Sequence, residues 1–250
     1  MTQYGSLSSE FYLLDKPEAR PDTLAYYLAL ARAAKGPVLE PMCGTGRYLL
    51  PLQAAGIDIE GTDSSSHMLT LCRSEAKAIG ISPILHQGML QELTLERDFA
   101  LVIIPSGSFS LLIEERDVVK SLERISSVLV KGGRFVVEVE RAGLIEPSLS
   151  GRWEGRWLTR ADGSKIVQSW LQQYSGIEGV ARSLHRYEVV TDGKLVTTEF
   201  EDFAVKHYEP EAFLALLEQV GFTDVRCYAP YERRAPDETD EGLLFECVKS

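Results

Sequence analysis

Residues 37–47 read Pro37-Val38-Leu39-Glu40-Pro41-Met42-Cys43-Gly44-Thr45-Gly46-Arg47. A short apolar run ends at an acid, passes into a tight glycine loop, and reopens as the helical pattern Tyr48-Leu49-Leu50-Pro51-Leu52. A strand that restarts as a helix leaves backbone N–H groups unpaired at the helix start, where they favour a negatively charged ligand group. Gly44 and Gly46 let the backbone approach that ligand closely. The stretch therefore predicts a nucleotide-type binding loop.

Downstream, short apolar runs alternate with helical patterns. Ile57 to Thr62 reads as a second strand ending at Asp63, with Ser64, Ser65 and Ser66 as N-cap candidates for a helix from about His67 to Ile79. Pro83–His86 reads as a third strand. Phe99–Ile104 reads as a fourth, apolar enough to be buried on both faces. A helix from about Glu115 to Leu129 leads through Lys131-Gly132-Gly133 into a fifth strand, Arg134–Val139. Upstream, Leu24, Tyr27, Leu28 and Ala31 keep helical spacing, while Phe11-Tyr12-Leu13-Leu14 reads as a staple over the core or part of a lid over a ligand. This alternation makes the fold α/β: a doubly wound, Rossmann-like, mostly parallel sheet with a final antiparallel strand and ligands at the carboxyl ends of the strands.

From about Ser150 the texture changes. Asp162-Gly163 and Asp192-Gly193 are hairpin signals between β-rich segments at Arg156–Arg160, Lys165–Tyr174, Val180–Val190 and Leu195–Lys206. Residues 150–207 thus read as a small inserted antiparallel β-sheet. Residues 1–149 and 208–250 form the ligand-binding domain with an N-terminal helical cap. Pro210 opens a further helix, and Thr223–Tyr228 and Leu243–Val248 complete the strands.

A dinucleotide site wants G-x-G-x-x-G followed by an acid for the ribose. Here Leu49 stands where the third glycine belongs, but Asp63 supplies the acid, and a carboxylate there can accept charge-assisted hydrogen bonds from both ribose hydroxyls. Val38 to Gly46 resembles the first motif of class I S-adenosylmethionine-dependent methyltransferases, and Gly61-Thr62-Asp63-Ser64-Ser65-Ser66-His67-Met68-Leu69 resembles their second. The tail from Tyr208-Glu209-Pro210 to Gly221-Phe222-Thr223-Asp224-Val225 is similar to the ending of small-molecule members.

The resemblance implies S-adenosylmethionine as cofactor. It implies that Glu40 and the backbone of Met42, Cys43, Gly44, Thr45 and Gly46 face its methionine part, with Asp63 on the ribose. Ser64 and Met68 would flank the sugar and adenine, Gly88 and Met89 would form the adenine loop, and Pro105 and Ser106 would lie beside the methyl group. Members commonly have glycine where Met42 stands and an acid where Met89 stands. The plainer readings are a backbone-capping role for Glu40, a helix N-cap for Asp63 and a small buried filler for Cys43.

Methyl transfer from a sulfonium is an in-line displacement, so alignment and exclusion of water do most of the work. A base is required only where the acceptor must lose a proton. The resemblance implies that the inserted sheet, residues 150–207, covers the substrate, so His185 and His207, in or beside it, are the candidates for that base; His67 and His86 read as structural or surface positions. Trp153, Trp157 and Trp170 are either the packing of the insert or aromatic walls of a substrate pocket suited to a cationic amine, with Tyr4 and Tyr12 closing the other side.

The formal net charge of −11 opposes nucleic-acid and anionic-membrane partners. Four cysteines without a C-x-x-C pair make neither a disulfide scaffold nor a metal site. With no signal-peptide pattern at Met1–Gly5 and no long apolar run, the expectation is a cytoplasmic monomer or homodimer. It would move a methyl group to an N or O atom of a small-molecule acceptor. The rivals are a non-catalytic binding protein on this fold, an NAD-dependent oxidoreductase, and a transferase moving another group from a related cofactor.

Overall fold

Strand β4 (Phe99–Ile104) runs through the centre of the molecule, and its alternation builds two cores. Val102 and Ile104 enter one with Phe109, Leu122, Phe135, Phe213 and Phe245; Leu101 and Ile103 enter the other with Tyr27, Leu49, Leu52 and Cys72. The computed structural model describes residues 4–142, 151–173, 177 and 179–250. The expected domain boundary at 149/150 and the expected strand end at Tyr174 lie outside them.

Around β4 the main sheet has the order β10-β11-β5-β4-β1-β2-β3, from Phe222–Tyr228 (β10), Gly242–Lys249 (β11), Leu129–Glu140 (β5), Val38–Pro41 (β1), Ile59–Asp63 (β2) and Ile84–Gln87 (β3). Strands β3, β2, β1, β4 and β5 pair in parallel, and β11 lies antiparallel between β5 and β10. Helices α2 (Pro21–Ala33), α3 (Leu49–Ala54), α4 (Ser66–Ala78), α5 (Glu115–Val128) and α6 (Pro210–Gln219) complete the alternation. The doubly wound order brings the carboxyl ends of β1, β2, β4 and β5 to one rim, where the connecting loops converge.

A second, antiparallel sheet has the order β6-β7-β8-β9, from Trp153–Thr159, Lys165–Gln173, Val180–Thr191 and Lys194–Lys206. Tight turns at Asp162-Gly163 and Asp192-Gly193 join its strands; Gly163, Asp192 and Gly193 take positive φ, as such turns require.

One element differs from expectation. The polar lead-in contains a helix, α1 (Ser6–Asp15), across the inserted sheet. Leu7 and Phe11 pack with Ile166, Tyr187 and Val189 in a third, smaller core. The segment has no side-chain N-cap bond and a weak apolar stripe, so its helicity rests on this packing. Phe11 is core, as the staple reading expects, and Tyr12 lines the cavity described below. Among the described residues, no helix is long and apolar enough to cross a membrane.

Candidate functional site

A cavity of about 640 Å³ opens where the rim of the parallel sheet meets the edge of the inserted sheet, within the size usual for small-molecule sites. Its floor comes from the β1, β2 and β3 loops, with Met42, Gly44, Asp63, Ser64, Met68, Gly88 and Met89. Beside it, Glu40, Met42, Cys43, Pro105 and Ser106 border a smaller recess that shares Tyr12, Gly44 and Arg47 with the main cavity.

Asp63 ties the floor together. Gly44 donates its N–H to Asp63 Oδ2 and Ser65 donates to Oδ1, each at 2.8 Å. Each carboxylate oxygen retains a lone pair, and the side chain still faces the cavity. Burial raises the Asp63 pKa, against these stabilising backbone bonds. Ser65, and not Asp63, caps α4, its Oγ accepting from Met68 N–H at 3.2 Å.

The glycine loop works differently from the expected helix start. Residues 44–48 are turns, and the regular helix α3 begins only at Leu49. Because the Gly44 N–H is taken by Asp63, it is not an anion donor. Gly46, at φ +83°, does not line the cavity; an added Cβ would stand 2.7 Å from Cys72 Sγ and from Leu50 Cγ. Its missing side chain serves the packing of α3 on α4. Thr45 is likewise buried away from the cavity. Met42, in a position where glycine was expected to be common, itself adopts φ +57°, and the loop is held by Cys43 N–H donating to Thr62 O at 3.0 Å. Cys43 fills space against Gly61, whose Cβ would meet its Sγ at 2.8 Å.

Glu40 is 3% exposed, and its Oε2 has no hydrogen-bond partner. Burial pushes its pKa up to about 8, with Arg47 pulling downward and Asp63 upward. A buried acid with an open acceptor at the wall of a recess is built to meet a cation or a donor from outside the chain.

Above the recess, Ser106 is a junction at the carboxyl end of β4. It sits at φ +59°, donates its N–H to Glu138 Oε2 at 2.8 Å, and takes a bond from Arg47 Nη2 at 2.5 Å. Tyr48 OH lies 3.2 Å from the same hydroxyl, and Tyr231 OH donates to Glu138. Arg47 is further held over the rings of Tyr12 and Tyr48, at 5.7 and 5.2 Å. Tyr4 packs edge-on against Tyr12 and Phe203, and Ser65 Oγ donates to its carbonyl at 2.8 Å.

Both histidine candidates lie off the cavity wall. His185 is on the inner face of the inserted sheet, with Nε2 2.8 Å from Ser183 Oγ and Nδ1 3.3 Å from both Gln168 Nε2 and Tyr187 OH. Burial lowers its pKa to about 4, so it is neutral and bonded within the sheet. His207 donates its backbone N–H to Gly179 O at 2.7 Å, and burial lowers its pKa.

The tryptophans do not wall the pocket either. Trp153 and Trp157 are 47% and 61% exposed, under Arg186 and Lys165 respectively. Trp170 sits in register between Glu154 and His185, also off the cavity. Strand alternation explains this: Trp153 and Trp157 share the sheet face turned away from α1.

The cavity wall instead carries groups the sequence reading missed: Lys16, Arg47, Glu140, Arg182, Asp202 and Phe203. Only Arg47 had a local signal, as a charge immediately after the glycine loop. Glu140, at the carboxyl end of β5, has no side-chain hydrogen bond among the described residues. Gly107, at φ +69°, leaves the room its carboxylate occupies, since a Cβ there would overlap Glu140 Oε1. Burial raises the Glu140 pKa, with Glu138 and Glu241 adding to the rise and Lys16 opposing it.

Residues 38–133 match the family model of a methyltransferase domain. A relative named "Putative methyltransferase YqeM", from Bacillus subtilis (strain 168), is 23% identical over 216 residues, covering 86% of this chain and 85% of its own. The dTDP-3-amino-3,6-dideoxy-alpha-D-glucopyranose N,N-dimethyltransferase of Streptomyces fradiae is 29% identical over 101 residues, 40% of this chain and 38% of its own. The solved sugar N-methyltransferase KedS8 from Streptoalloteichus sp ATCC 53650 superposes with a TM-score of 0.75 at 17% identity, covering 100% of this chain and 94% of that one. Residues 38–133 are thus a methyltransferase domain, and the chain has the fold of S-adenosylmethionine-dependent methyltransferases.

Proposed function

We propose that the chain methylates the nitrogen of a small-molecule amine, and that the inserted sheet forms one wall of the acceptor site. The observation that carries this is Glu140, an unpartnered carboxylate in the cavity at the rim where β4 and β5 end. The residues present fit the cofactor. Glu40 offers a buried open acceptor for its ammonium group, and Asp63 keeps a lone pair on each oxygen for ribose hydroxyls. Met42, Gly44, Ser64, Met68, Gly88 and Met89 line the space between.

Bound S-adenosylmethionine supplies an electrophilic methyl group. On the protein side, Glu140 takes up the proton that an ammonium acceptor must shed before its nitrogen can present a lone pair. Burial raises its pKa, which makes it a stronger proton acceptor than an exposed carboxylate. Tyr12 and Tyr4 close the cavity over the reacting groups and exclude water, and Ser106, held by Glu138 and Arg47, fixes the loop beside them. The free cysteines are compatible with our placing of the enzyme in the cytoplasm.

Transfer of isotopically labelled methyl from S-adenosylmethionine tests the reading on dTDP-3-amino-3,6-dideoxyglucose, on free amino sugars, and on their hydroxyl counterparts. Labelled product from amines, with little from the matched alcohols, is the expected result. Labelling of the alcohols alone would overturn the choice of nitrogen. Cofactor binding without any labelled product would overturn the amino-sugar class.

A further inference from the structure

Among the described residues, Arg47, Arg160, Arg182 and Arg186 each bury an Nε that has no hydrogen-bond partner. Three of them are anchored elsewhere: Arg47 on Ser106 Oγ, Arg160 on Glu10 Oε2, and Arg186 on Glu188 in an ion pair at 3.2 Å. Arg182 alone of the four has neither a side-chain hydrogen bond nor an ion pair among the described residues. It stands on β8 and lines the cavity. A guanidinium cannot shed its charge, and its planar fork of donors matches carboxylate and phosphate oxygens. Leaving it part-buried and unpaired costs free energy that a ligand anion would recover.

A second cation faces the same space. Lys16, just past the end of α1, lines the cavity, has no ion pair among the described residues, and lies 5.8 Å from the Tyr12 ring centre. Burial and then the nearby Arg47 push its pKa down, as expected of a cation short of negative partners, with Arg156 adding to the fall and Asp15 and Glu140 only partly opposing it. Asp202, on β9, also lines the cavity and is not paired with Arg182; with Asp63, Glu114, Asp117 and Glu140 it makes five carboxylates on the lining, so a bound anion must be held by Arg182 and Lys16 against that repulsion.

We infer that Arg182 and Lys16 form an oxyanion subsite, and that the acceptor carries a phosphate or carboxylate group apart from the atom that is methylated. This rests on the reading of the cavity as an acceptor site, but not on the acceptor atom being nitrogen. The subsite makes the inserted sheet a selector. Neutral amines would lack the anchor, and charged ones would be held with the anion toward β8 and the reacting group toward Glu140.

The probes are pyrophosphate and dTDP for the phosphate source and succinate for the carboxylate source. They are titrated calorimetrically, at fixed ionic strength, into the full chain saturated with S-adenosylhomocysteine. The wild type should bind at least one class with a dissociation constant below about 5 mM. Arg182→Ala should weaken that binding about tenfold or more, Arg182→Lys less, and Lys16→Gln by a smaller factor. S-adenosylhomocysteine affinity, measured on each variant, should stay unchanged and so report an intact fold. No binding of either class by the wild type, or equal binding by Arg182→Ala, would overturn the inference. If no amine is methylated while anion binding still depends on Arg182, the amine reading falls and the subsite stands.

Discussion

The two sheets present polar groups to the cavity in different states. On the parallel side the cofactor floor is already held, Asp63 by Gly44 and Ser65 and Ser106 by Glu138, Arg47 and Tyr48, with Glu40 and Glu140 as the open acceptors. On the inserted side Arg182 and Asp202 line the same cavity without a partner among the described residues, while His185 is bonded within the sheet and Trp153 and Trp157 are exposed. A half whose donors and acceptors are fixed in advance suits one invariant ligand, because little order is lost on binding. A half with unpaired charges discriminates among ligands, since each leaves or fills a costly vacancy.

The largest effects should come from the fixed half. Asp63→Ala removes an acceptor and strands two backbone donors, and should weaken S-adenosylhomocysteine binding by about 1–3 kcal/mol, roughly 5–150-fold. Calorimetry checks this, and an unchanged dissociation constant would break the ribose assignment. Gly46→Ala should cost about 1–3 kcal/mol of stability in urea unfolding, from overpacking on Cys72 and Leu50 and from positive φ. Wild-type stability would disprove the packing role.

Glu40→Gln sharpens the comparison through pH. Burial raises the folded pKa from 4.5 to about 8, so the folded protein holds a proton there that the unfolded chain releases. The stability this group contributes is fully present below pH ~4.5 and is lost as pH rises through about 8. Binding a cationic group requires the carboxylate, so wild-type cofactor affinity should climb between about pH 6 and 8. The glutamine variant should bind about tenfold more weakly at pH 8, with no climb, yet resist unfolding better there. A pH-independent wild type would remove Glu40 from the cofactor site.

The smallest effects belong to the outward and self-satisfied residues of the insert. Trp157→Ala should change stability by no more than about 0.5 kcal/mol and leave methyl transfer unaltered. His185→Asn should keep kcat within about threefold, whereas loss of a general base would cost about a hundredfold or more. A drop of that size would restore His185 to the chemistry.

Much of the main sheet was legible because its strands are apolar runs of a length only buried strands need, and its loops carry glycine and acid at fixed spacing. The insert's strands were equally legible from turn signals at Asp162-Gly163 and Asp192-Gly193. Helix α1 was not: Ser6–Asp15 has little intrinsic stripe and becomes helical against Ile166, Tyr187 and Val189, which follow far along the chain. The histidines and tryptophans misled because residue type signals chemistry only where the backbone aims the side chain at a cavity. A strand aims successive residues to opposite faces.

What the sequence determined by itself was local: periodicity, turn chemistry and the Glu40, Gly44 and Asp63 spacing that resembles the motifs of class I methyltransferases. These depend on residues close together in the chain, so they survive without knowledge of the fold. The far wall of the cavity was decided only by tertiary structure. Lys16, Glu140 and Arg182 come from a helix end, a central strand and an inserted strand. Their shared cavity exists because α1 docks the inserted sheet over the rim of the parallel one.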